Sequence, residues 1–178
     1  MLSILVCHSY FLRLDQKQIA RAKPYPPLAT LQVVSLLREA GHRVSFFDAM
    51  LADGIEEYHQ LLASETPQLV LFYEDNFNFL SKMCLATMRR AACDMIGAAR
   101  RANATVVAAG PDVSDAPGPY LRAGADLALA GEGVPAGGRA SSWASRLPRV
   151  CPLGLPRTWR EPPKDCASGS RSPANTGC

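Results

Sequence analysis

Residues 28 to 47 read LATLQVVSLLREAGHRVSFF. Leu31, Val34, Leu36, Leu37 and Ala40 recur at helical spacing, so Leu28 to Ala40 is expected to form a helix with one apolar stripe. Gly41 then supplies a left-handed stop. The run Val44 to Phe47, β-branched and aromatic, follows as a strand. Upstream, Leu2 to Cys7 is apolar but too short to span a membrane and has no basic leader before it, so it too reads as a strand. A strand, a helix and a second strand in that order begin a parallel sheet.

The alternation continues outward. Leu69 to Tyr73, Thr105 to Ala109 and Leu127 to Ala130 are further strands, each nearly continuous in apolar residues, as strands buried on both faces are. Between them Ile55 to Ser64, Leu80 to Ala102 and Pro119 to Ala123 carry helical patterns. In the long one, Leu80, Cys84, Met88, Ala91, Met95 and Ala98 form the stripe, which reads as core filling and not as ligand chemistry. The expected fold is therefore α/β: a Rossmann-like (flavodoxin-like) doubly wound, five-stranded parallel sheet over residues 1–133. From Val134 to Cys178 isoleucine, phenylalanine and tyrosine are missing while Pro, Arg, Ser and Gly dominate, so residues 134–178 are expected to be a disordered tail. That composition also suggests a damaged or out-of-frame continuation of a longer gene.

Charged residues make up 20% of the chain and the net charge is +3, too small and too scattered to imply a nucleic-acid partner. The six cysteines show no CxxC pair, which fits reduced thiols in a cytoplasmic protein better than disulfides or zinc. No membrane segment is expected. Gly-rich phosphate-binding loops of the dinucleotide and P-loop kinds are absent. His8, His42 and His59 fall in separate elements, which argues against a histidine metal cluster or a catalytic triad.

Open parallel sheets bind ligands beyond the carboxyl ends of their strands, at the point where the strand order reverses. Four connections leave those ends with chemistry to offer. The first, His8 to Pro27, exceeds the length of an ordinary loop and finishes in Tyr25, Pro26 and Pro27, whose prolines suit a helix entry. Strand three ends in YEDNFNF, Tyr73 to Phe79, where Asp75, Asn76 or Asn78 is expected to cap the long helix. Strand four runs into Gly110, Pro111 and Asp112, where a glycine lets a ligand approach the backbone, and strand five into Gly131, Glu132 and Gly133. Together they suggest a broad hollow for a large ligand.

The order of these motifs, with YPPL, REAGH followed by a strand and Asp, VVAAGPDVSDAP, and AGADLALAGEG, resembles the N-terminal cobalamin-binding domain of the B12-binding radical SAM proteins. The resemblance covers residues 1–133. It implies a corrinoid held by the strand-end loops, with Tyr25, Pro26, Pro27, Glu74, Asp75, Asn76, Gly110, Pro111, Asp112, Gly131, Glu132 and Gly133 facing it. Where cobalamin domains carry D-x-H-x-x-G, this chain has Asp15-Gln16-Lys17-Gln18-Ile19-Ala20, so cobalt would receive no histidine from that motif. Nor does a C-x-x-x-C-x-x-C occur, so no iron–sulfur cluster is expected. The implied protein is a corrinoid-binding module without catalytic residues of its own, its chemistry resting on a separate radical SAM chain. Two other readings suit the same residues: a flavodoxin-like regulatory or interaction domain with no cofactor, and a gene fragment without a function.

Overall fold

A computed structural model of the chain describes residues 1–20, 24–74 and 84–130. The expected tail, residues 134–178, lies outside them. Five parallel strands, β1 (Ser3–Cys7), β2 (Arg43–Phe47), β3 (Leu69–Tyr73), β4 (Thr105–Ala109) and β5 (Leu127–Leu129), form one sheet in the order β2-β1-β3-β4-β5. The strand order reverses between β1 and β3. All five expected strands are present, each within a residue or so of its expected bounds.

Side chains alternate across the sheet with the two-residue period of a strand. Ile4, Val6, Leu69, Leu71 and Val107 face one side, where α2 (Leu28–Glu39) covers them with Val33, Val34 and Leu37. Leu5, Cys7, Val70, Phe72, Val106 and Ala108 face the other, beneath α3 (Ile55–Glu65) and α4 (Leu85–Arg101), the latter contributing Ala91, Ala92, Met95, Ile96, Ala98 and Ala99. Cys7 is fully buried, and burial pushes its thiol well above its ordinary value, so it serves as core.

Three local expectations need correction. The buried stripe of α2 is Thr30, Val33, Val34 and Leu37, rotated from the expected one, and Ala40 is exposed. The rotation follows from Thr30, whose hydroxyl donates to the Tyr73 carbonyl at 3.1 Å and so turns inward. Gly41 does adopt the left-handed backbone, φ +84°. Second, Cys84, expected inside the helical stripe, is instead the N-cap of α4, which begins at Leu85 with no side-chain capping bond from it; Asp75, Asn76 and Asn78, the expected caps, lie outside the described residues. Third, the connections contain short helices: α1 (Gln16–Ile19) after β1, and α5 (Pro111–Asp115) ahead of α6 (Pro117–Ala123). Asp15 is the N-cap of α1, accepting from the Lys17 and Gln18 amides, and also accepts from the Tyr10 hydroxyl. The DQKQIA segment is thus a helix entry. Among the described residues no helix is long and apolar enough to cross a membrane.

Candidate functional site

Register builds the site. Cys7 pairs with Phe47 across β1 and β2 and with Phe72 across β1 and β3, while Tyr73 pairs with Ala109 across β3 and β4. Carried past the strand ends, the same register sets His8 beside Asp48, Ser9 beside Glu74, and Glu74 beside Gly110. Each neighbour pair makes contact.

His8 Nε2 lies 3.0 Å from Asp48 Oδ1, and His8 Nδ1 accepts from the Tyr10 amide at 3.3 Å. With Nδ1 an acceptor, the ring proton sits on Nε2 and is donated to Asp48. The same Asp48 oxygen accepts from the Met50 amide at 3.0 Å. Both ring nitrogens of His8 are thus engaged inside the fold, and neither is free to meet a metal.

Ser9 Oγ donates to Glu74 Oε2 at 2.7 Å, across the point where the strand order reverses. Glu74 is 7% exposed, and its other oxygen, Oε1, is buried with no hydrogen-bond partner. Burial pushes this carboxyl up to about 6, against the opposing pull of Ser9's hydroxyl and of His8. An unpaired buried acceptor is uncommon and costs about 1–3 kcal/mol, so it asks for a reason.

Asp112 is buried in a different setting. Arg89 of α4 donates to it twice, Nε to Oδ2 at 2.8 Å and a terminal nitrogen to Oδ1 at 2.5 Å, and the Tyr120 hydroxyl donates to Oδ2 at 2.6 Å. This fork raises the Arg89 guanidinium further above its already high value, so Arg89 stays charged at every ordinary pH. Asp112 therefore ties α5 to α4 and α6.

Gly110 packs against the end of β3. Its φ is +120°, and a Cβ built on it would stand 2.4 Å from the Glu74 carbonyl oxygen. The close approach that glycine permits here is that of the neighbouring β3 end, and Pro111 opens α5 at its first turn. Of the remaining expected residues, Tyr25 is half-buried, its amide against Met50 Sδ at 3.1 Å and its ring 6.1 Å from that of Tyr10. Pro26 is exposed, and Pro27 is buried at the N-cap of α2. Asp75, Asn76, Gly131, Glu132 and Gly133 lie outside the described residues.

Tyr10, Met50 and Met88 form a buried cluster of their own, with Leu12, Tyr25 and Cys84 packed against it. Tyr10 follows β1, Met50 follows β2, and Met88 is in the first turn of α4. Side chains thus fill the rim on that flank, where a hollow was expected. Sequence reasoning passed over His8, Ser9, Asp48 and Arg89; a signal was present for the first three, since each lies one or two residues past a strand end. Among the described residues no group of His, Cys, Asp and Glu is arranged to hold a metal ion.

No family model matches the chain, and no curated protein matches it significantly. Among solved structures, the crystal structure of TesA is similar, with 24% identity over 67% of this chain and 67% of that one and a TM-score of 0.38. At that level of superposition the likeness carries no argument about what this chain does. The parallel α/β sheet stands on the chain's own strand pairing.

Proposed function

We propose that the chain is a corrinoid-binding module, resembling the N-terminal domain of B12-dependent radical SAM enzymes and not catalytic alone. The observation that supports this reading most is the buried carboxyl of Glu74, with one oxygen unpaired, at the reversal between β1 and β3. Sheets of this order bind flat cofactors at that point. The fit is to the periphery of a corrinoid and not to its metal: the engaged ring of His8 leaves cobalt without a protein imidazole, and Glu74 is a hydrogen-bond acceptor for the macrocycle's rim. When bound, a corrinoid supplies an organometallic cobalt centre, and a radical SAM partner would supply the cluster for which no cysteine motif occurs in residues 1–178.

A second reading, a flavodoxin-like interaction domain with no cofactor, draws on the Tyr10, Met50 and Met88 cluster that fills one flank of the rim. Titrating hydroxocobalamin with the full 178-residue chain separates the two. The corrinoid reading expects saturable retention of one cofactor per chain in equilibrium dialysis. No retention at large protein excess contradicts it and leaves the interaction domain.

A further inference from the structure

We infer that Glu74 recognises a carboxamide of its ligand, Oε1 accepting the amide N–H while Ser9 holds Oε2. This rests on the corrinoid reading and deepens it by naming the ligand group that the reversal point selects. Glu74 Oε1 is the one buried side-chain oxygen or nitrogen left without a hydrogen-bond partner among the described residues. Its neighbours are otherwise satisfied: His8 by Asp48 and the Tyr10 amide, Asp112 by Arg89 and Tyr120.

Three ligand groups could pair with Oε1: a cation, a hydroxyl or an amide. Chemistry favours the amide. A carboxyl held near 6 exists in both protonation states around neutrality. A primary carboxamide offers two donors and an acceptor, so it pairs with the ionised form through its N–H and with the protonated form through its C=O as well. An ammonium suits only the ionised form. A hydroxyl makes a single bond in either state. A corrinoid presents acetamide and propionamide arms around its rim, and the corresponding acid, cobyrinic acid, presents carboxylates in the same places. A carboxylate brought against Glu74 meets like charge in a buried setting, which is disfavoured.

The test compares two probes, dicyanocobinamide and dicyanocobyrinic acid, on the full chain at pH 7.5, read by visible absorption and equilibrium dialysis. The wild-type chain is expected to bind the amide form at least roughly tenfold more tightly, the scale of one hydrogen bond to a charged group. That preference runs against the chain's net charge of +3, which by itself attracts the polyanion. Glu74→Gln, folded as judged by circular dichroism, is expected to reduce the preference to about threefold or less. Equal binding of both probes by the wild-type chain overturns the assignment, whether or not the variant folds. So does a preference that Glu74→Gln leaves unchanged. Binding of neither probe overturns the corrinoid reading itself, and the assignment with it; that outcome is distinct from the other two because the wild-type chain then retains neither probe on dialysis.

Discussion

Two buried carboxylates stand at the same edge of the sheet, and they are finished differently. Asp112 accepts three charge-assisted or hydroxyl bonds, two from Arg89 and one from Tyr120, so both of its oxygens are paired. Glu74, on the adjacent strand end, accepts one bond from Ser9 and keeps Oε1 unpaired. The first arrangement is what a fold does with a carboxylate it uses as a fastener. The second leaves a buried acceptor unmade, at a cost of about 1–3 kcal/mol. The difference leaves Glu74 as the carboxylate with an unpaired oxygen along a rim where position and residue type alone do not tell the two apart.

The contact that joins the two regions is the one whose loss is expected to matter most. Gly110 lies between them, two residues before Asp112 and under the Glu74 carbonyl. Gly110→Ala forces a Cβ to within 2.4 Å of that carbonyl while holding φ at +120°, so strain and overlap together are expected to destabilise the domain by about 4 kcal/mol, seen as a lowered urea midpoint. A variant as stable as the wild type would mean the β3 and β4 ends are not locked together.

Next in size is the fastener. Asp112→Ala leaves the Arg89 guanidinium and the buried Tyr120 hydroxyl without their partner and is expected to cost on the order of 3 kcal/mol by the same measurement. The loss should hold from pH 5 to 9, since Arg89 stays charged throughout. A loss that fades within that range would show that Asp112 is not the settled ion pair described above.

The smallest effect belongs to Glu74 and depends on pH. Its carboxyl, raised from an ordinary 4.5 to about 6, binds its proton more tightly in the folded chain than in the unfolded one. Stability on its account is therefore greatest at low pH and falls as pH climbs from about 4.5 to about 6, a decline of about 2 kcal/mol that is complete above that range. The groups that share its field are His8, Asp112, Cys7, Cys93 and Tyr120. Subtracting the stability profile of Glu74→Gln from that of the wild type isolates the Glu74 part. A flat difference between pH 4 and 7 would place this carboxyl in solvent.

Much of the architecture was legible in sequence because it follows from period. The five apolar runs and the glycine after Ala40 specify strands and a helix stop whatever the surroundings. What escaped depends on neighbours distant in sequence. Thr30 turns the face of α2 because the Tyr73 carbonyl waits above it, and Thr is not counted in an apolar stripe. Asp112 and Gly110 carried the right position for a ligand, yet a residue's place on a rim does not reveal that Arg89 or a β3 carbonyl has already claimed it. His8 was set aside for lying apart from the other histidines, although its partner is Asp48, one residue past the adjoining strand. Register, extended one or two steps beyond each strand, would have paired His8 with Asp48 and Ser9 with Glu74. It would not have shown that one oxygen of Glu74 goes without.

The most direct measurement of that vacancy is carbon-13 NMR of the Glu74 side-chain carboxyl across pH, with the chain alone and with dicyanocobinamide bound. The expected result is a titration centred near 6 in the free chain that is displaced when the corrinoid is present. Two superimposable curves at saturating dicyanocobinamide would contradict the claim that this carboxyl is where the ligand is met.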